Sequence, residues 1–190
     1  MNSWNWKVAC ALAIGIGTSA PAGAVPSALV DFFSYGGHTY ARADVESSWT
    51  EAEAFAVSKG AHLVTFNDAA ENAAIAAHYS AIENTDYWIG FNCIGCSNFT
   101  DPSQWYWASG EPVTYTNWRG GEPNAVIGFD AYAVFNYAGV GGVWDNYPDV
   151  GFQPARGVVE FNVPEPDSLA LLCIGLALGA FVSRRRPLCL

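Results

Sequence analysis

Five side chains with short oxygen donors fall within one stretch, residues 117–148. Glu122 and Asn124 flank Pro123 in the run Asn117-Trp118-Arg119-Gly120-Gly121-Glu122-Pro123-Asn124. Asp130 opens a strand-like run ending at Tyr137, and Asp145 and Asn146 stand in Gly142-Val143-Trp144-Asp145-Asn146-Tyr147-Pro148. Carboxylates and amide oxygens converging from loops suit a hard cation such as calcium. That ion takes about six to eight oxygens and tolerates irregular geometry. The rest of the chain must then serve as the scaffold that brings these turns together.

The composition permits such a scaffold and excludes one class of partner. Eight tryptophans and 15% aromatic residues in 190 supply a core for one domain plus processing segments. There are 18 acidic and 8 basic residues. Lys7 and Arg184, Arg185 and Arg186 belong to the ends, leaving Arg42, Lys59, Arg119 and Arg156 in the body. A body this acidic speaks against nucleic acid, whose phosphates are met by Lys and Arg. Cation binding and simple solubility both fit the charge.

Both ends look like targeting segments. Lys7, the apolar run Val8 to Ile16 and the small-residue pattern Ala22-Gly23-Ala24 make residues 1–24 a signal peptide. At the other end Val163-Pro164-Glu165-Pro166 precedes an apolar run from Ser168 to Ser183 and then three arginines. That run is barely long enough to cross a bilayer, and the arginines would stay cytoplasmic. The order of Pro164, Glu165 and Pro166, an apolar helix and terminal arginines resembles the PEP-CTERM sorting signal of Gram-negative bacteria. The resemblance implies export, retention in the inner membrane, cleavage by an exosortase and association with the cell surface or exopolysaccharide. Residues 164–190 are assigned to this tail and 25–163 to the mature domain.

Only Cys93 and Cys96 lie in that domain. An exported compartment permits disulfides, so the pair is expected to close a local loop. Two cysteines are too few for a tetrahedral zinc site.

The scaffold reads as two helices followed by strands. Phe32 to Arg42 is a strand or a hairpin turned at Gly36-Gly37. Ser48-Trp49-Thr50-Glu51 is a capping box opening a helix to about Lys59, with Trp49, Ala52, Phe55 and Ala56 on one face. Gly60 stops it, and Ala61 to Phe66 is a short strand. Asn67 or Asp68 caps an alanine-rich helix to about Ser80. Tyr87 to Phe91, Trp105 to Trp107, Asp130 to Tyr137 and Val158 to Asn162 follow as strands. The loop from Ala108 to about Phe129 is longer than connections usually are, which points to function. Helices first and strands after give an α+β class.

The motifs Trp49-Thr50-Glu51-Ala52, Gly60-Ala61-His62-Leu63-Val64-Thr65, Glu71-Asn72, Trp88-Ile89-Gly90, Trp105-x-Trp107 and Glu122-Pro123-Asn124 occur in this order. Together they resemble the C-type lectin-like domain over residues 30 to 163. The resemblance implies first and last strands paired, a cis proline, and a long loop holding calcium and a sugar's vicinal hydroxyls. Glu122 and Asn124 match that pattern directly, in the form similar to mannose-, glucose- or fucose-type binders. Asp130 takes the place of a glutamate one methylene longer, and Asp145-Asn146 reverses the family order Asn-Asp. The long-range disulfides usual in the family are missing.

The implied function is calcium-dependent carbohydrate binding. Glu122, Asn124, Asp130, Asp145 and Asn146 would hold the ion, and Glu122, Asn124, Asp145 and Asn146 the sugar. The alternative is a structural or adhesive surface protein with a sugar-inactive site. No catalytic constellation is visible, so no enzyme is expected. Trp105, Trp107, Trp118 and Trp144 are assigned to the core, and Tyr115 and Tyr147 are the candidates for stacking on a sugar.

Overall fold

The computed structural model describes residues 25–125, 129–149 and 154–161. The signal segment and the sorting tail with Pro164, Glu165 and Pro166 lie outside the described residues. Among the described residues no helix is long and apolar enough to cross a membrane.

The first run is a hairpin, β1 (Leu29–Tyr35) and β2 (His38–Ala43). Helix α1 (Trp49–Ser58) begins at the expected capping box. The Ser48 side chain accepts the Glu51 N–H at 3.2 Å, and the Glu51 carboxylate accepts the Ser48 N–H at 3.1 Å. Two of the first turn's orphan donors are thereby satisfied. Helix α2 (Ala69–Ile82) is capped by Asp68, whose carboxylate accepts the N–H groups of Ala70 and Glu71 at 2.8 Å each. The remaining strands are β3 (Ala61–Leu63), β4 (Tyr87–Asn92), β5 (Tyr106–Trp107), β6 (Tyr132–Phe135), β7 (Trp144–Tyr147) and β8 (Arg156–Phe161).

The sheet runs β1-β2-β8-β4-β6-β7, with β3 on β8 and β5 on β4. β4 and β8 are parallel, and the other pairs are antiparallel. The last strand pairs with the hairpin's second arm, β2, within the Phe32 to Arg42 run read as the first strand. β4 is buried along its whole length. Alternation sends Tyr87, Ile89 and Phe91 to the face shared with α2, and Trp88 to the face shared with α1. Gly90 separates the two sets. A Cβ there would stand 2.6 Å from the Leu63 carbonyl oxygen, so only glycine lets the chain after β3 pass.

Three expected strands are shorter than their sequence pattern. The Val64 N–H still donates to the Val158 carbonyl at 2.8 Å, and the chain leaves β8 at Thr65, whose N–H goes to the Glu160 carboxylate at 3.0 Å. Trp105 ends a short 3-10 turn, and only Tyr106 and Trp107 pair with β4. β6 stops at Phe135 because Asn136 turns left-handed (φ 66°), a conformation asparagine tolerates better than most residues.

The aromatic residues after β4 form one packed group. Phe91 lies 4.5 Å from Trp107, 5.7 Å from Trp118 and 5.5 Å from Trp144, centroid to centroid. Trp105, Trp107 and Trp144 are buried. The Trp144 indole N–H donates to Asn72 Oδ1 at 2.8 Å, and Asn72 Nδ2 donates to the Gly142 carbonyl at 3.0 Å. Asn72 thus ties α2 to β7. Asn72→Ala leaves that buried indole N–H without an acceptor and is expected to lower stability by about 2 kcal/mol in denaturant unfolding.

Candidate functional site

The long loop is held against β7 by backbone pairing. The Trp144 N–H donates to the Asn117 carbonyl at 2.9 Å, and the Arg119 N–H donates to the Trp144 carbonyl at 2.8 Å. Trp118 packs edge-on to Trp105 at 4.8 Å, which fixes this strand-like segment from the other side. Arg119 is thereby placed beside Asp145. A turn then closes through the Glu122 N–H and the Arg119 carbonyl at 2.9 Å, with Gly121 at φ 96°, where a side chain would be strained. The Glu122–Pro123 peptide is cis, the isomer that is accessible before proline.

The five expected residues meet, Glu122, Asp145 and Asn146 through their side chains and Asn124 and Asp130 through main-chain groups that Asn146 holds. Asn146 faces Ala133 across β6 and β7. Its side-chain oxygen accepts the Asn124 N–H at 3.0 Å, and its amide donates to the carbonyls of Asn124 at 2.9 Å and Asp130 at 2.6 Å. One asparagine side chain therefore joins both banks of the loop. Asp145 faces the other way, as alternation requires. Its Oδ2 accepts from Arg119 Nε at 3.1 Å and Nη2 at 2.8 Å, and its Oδ1 accepts the Asn146 N–H at 2.8 Å. Arg119 Nη2 also donates to Glu122 Oε1 at 2.8 Å. The guanidinium thus stands between two carboxylates, and it lies 4.3 Å from the centre of the Tyr137 ring.

Burial makes this charge arrangement consequential. The side chains of Glu122 and Asp145 are 2% and 7% exposed, against 42% for Arg119. Burial and then the Asp145 charge push the Glu122 carboxyl above its usual range, and Arg119 opposes them. Glu122 Oε2 is buried without a hydrogen-bond partner.

Glu122, Asp145 and Asn146 do not fit a calcium ion as they are arranged. Glu122 Oε1, both oxygens of Asp145 and Asn146 Oδ1 already accept from protein donors. Among the described residues no group of three or more His, Cys, Asp or Glu side chains is placed to hold a metal. The sequence did not assign Arg119 to the site. It is the only basic residue of the loop and stands three positions before Glu122, the one signal that would have found it.

Residues 45–134 match the family model of the Lectin C-type domain, and residues 162–186 match the PEP-CTERM protein-sorting motif. Over residues 45–134 the chain thus resembles C-type lectin domains, and over residues 162–186 PEP-CTERM sorting motifs. Its domain is similar to the galactose-specific lectin nattectin of Thalassophryne nattereri, 27% identical over 73% of this chain and 83% of that protein. It is 35% identical to C-type lectin domain family 17, member A of Homo sapiens, over 52% of this chain but only 23% of that one. The crystal structure of the C-type lectin CEL-I from Cucumaria echinata superimposes with a TM-score of 0.62, at 23% identity, over 70% of this chain and 96% of that one. The fold of the lectin domain is thus established independently of its site.

Of the two aromatic residues expected at a sugar surface, one is turned inward. Tyr147 is buried, and its hydroxyl donates to Asp86 at 2.5 Å. Tyr115 packs edge-on to Trp144 at 5.8 Å. Tyr147 therefore supports the scaffold, while Tyr115 is half-buried on the long loop. Cys93 and Cys96 form a disulfide with Cα atoms 5.3 Å apart, closing the expected local loop. Asn146→Ala removes three hydrogen bonds from the loop; it is expected to cost about 2 kcal/mol and to speed amide exchange at Asn124, as measured by hydrogen exchange.

Proposed function

We propose that this is an exported carbohydrate-binding protein of the bacterial surface or exopolysaccharide matrix, using the loop between Glu122 and Asn146. The observation that carries this is the joining of Glu122 and Asp145 through Arg119, beside Asn146 holding the main chain of Asn124 and Asp130. Polar groups fixed in place before the ligand arrives recognise hydroxyls without a large ordering cost. The relatives are named as lectins, which favours binding over catalysis. The signal segment, residues 1–24, and the tail, residues 164–190, support delivery across the inner membrane, transient anchoring there and exosortase processing of a 25–163 domain in a Gram-negative host.

Glu122-Pro123-Asn124 directs the first tests to mannose, glucose and fucose, with galactose as the comparison. Calcium was expected with this site. It is not part of the binding mode proposed, because Arg119 stands between the two carboxylates that the ion would bridge.

A second reading, a structural or adhesive protein without sugar binding, is favoured by a different feature. An apolar cleft of about 410 Å3 lies beside the disulfide, lined by Ile94, Phe99, Phe129, Tyr132 and Pro148. Retention of the full chain on immobilised neutral sugars separates the two. Binding that Glu122→Ala lowers by about tenfold or more, with the circular dichroism spectrum unchanged, is expected. Equal retention of both proteins on every sugar would remove the site assignment.

A further inference from the structure

We infer that Arg119 is the built-in cation of this site, taking the place of a metal ion and presenting the donor edge that a neutral saccharide meets. This rests on the carbohydrate reading for its ligand, but the metal half stands on geometry alone.

Three observations converge on Arg119. Its guanidinium donates to both buried carboxylates, Glu122 at 2.8 Å and Asp145 at 2.8 and 3.1 Å. Two buried anions so close together need a positive partner, because an unpaired buried charge is strongly unfavourable. A divalent cation could supply that charge, and here a side chain does. Its position is set by the main chain, through the Arg119 N–H on the Trp144 carbonyl, and by the face of Tyr137. Holding the side chain this way lowers the entropy lost in making the ion pairs.

The reversed pair Asp145-Asn146 has a role in this arrangement. Asp145 puts a carboxylate where the guanidinium reaches it with two nitrogens, a charge-assisted contact stronger than one to an amide. Asn146 puts an amide where both a donor and an acceptor are needed, since it accepts the Asn124 N–H and donates to two carbonyls. A carboxylate at 146 could accept but not donate. With the order exchanged, Arg119 would lose an anion and the loop would lose a clamp. The sequence order therefore agrees with an arginine at the centre.

Calcium would have to displace Arg119 from both carboxylates. Of the four oxygens on those two carboxylates, one, Glu122 Oε2, has no protein donor, far short of the ion's usual six to eight. A saccharide faces an easier task. Arg119 is 42% exposed, and among the described residues no group accepts from its Nη1. That N–H edge can donate to a sugar hydroxyl while Nε and Nη2 remain on the carboxylates. With the carboxylates of both Glu122 and Asp145 on it, the local charge is negative even with Arg119 counted. The site should therefore favour neutral over acidic sugars.

The test is calcium titration of the full chain in a non-ionic detergent, followed by thermal unfolding. The melting temperature of the natural protein is expected to be unmoved by about 10 mM calcium or by a chelator. Arg119→Met keeps most of the side chain's bulk but frees the carboxylates; calcium is expected to raise its melting temperature by about 5 °C. Arg119→Lys retains the charge and is expected to behave like the natural protein. A calcium-dependent rise in the natural protein would overturn the inference. So would a folded Arg119→Met that ignores calcium, or an Arg119→Lys that responds as Met does. Sugar retained in chelator by the natural protein supports the saccharide half, and retention only with calcium sinks it. Should no sugar be retained under either condition, the carbohydrate reading falls, and the unfolding data still decide the role of Arg119.

Discussion

The geometry of the site depends on the anchoring of Trp144. Its ring is fully buried, within 6 Å of Phe66, Phe91, Trp107, Tyr115 and Trp118, and its N–H is satisfied by Asn72. Each aromatic contact adds about 0.5–1.5 kcal/mol beyond the area it buries. This fixes the height and rotation of β7, and β7 in turn places Asp145 and Asn146 on opposite sides of its backbone. The same residue's carbonyl and N–H hold the loop at Asn117 and Arg119. The site is therefore an outgrowth of the core, held by aromatic packing.

A second constraint is electrostatic. The chain is strongly acidic, and carboxylates turned inward are met by donors from other elements. Glu71 accepts from the Tyr40 hydroxyl at 2.6 Å, Glu160 from the Thr65 N–H at 3.0 Å and Asp86 from the Tyr147 hydroxyl at 2.5 Å. Burial still raises the carboxyls of Glu160 and Asp86 above the usual range. Away from the binding loop, then, acidic side chains act as internal acceptors that join one element to another. Within the loop the donor is a full positive charge, because there two carboxylates approach together and no neutral donor could compensate both.

Much of this was legible in the sequence. The capping box at Ser48 and Glu51, the Asp68 cap, the hairpin at Gly36-Gly37, the disulfide and the loop oxygens all follow from local chemistry, in which a residue's own type and a spacing of a few positions decide the outcome. Glu122-Pro123-Asn124 likewise located the loop. Strand ends were less legible, because they were set by partners distant in sequence: Glu160 drew Thr65 off the ladder, and Asn136 ended β6.

What the sequence alone determined was which residue types were available and which short segments they would form. Only the tertiary structure decided what the five oxygens face. Arg119 lies 26 residues from Asp145, and nothing local relates them. Their meeting depends on parallel pairing of the loop with β7, which Trp118 and Trp144 enforce by packing. In the same way Tyr147 carries the chemistry of a sugar platform, but its place on a buried strand turns it inward to Asp86. A side chain's donors and acceptors belong to its type; what satisfies them is fixed by long-range packing.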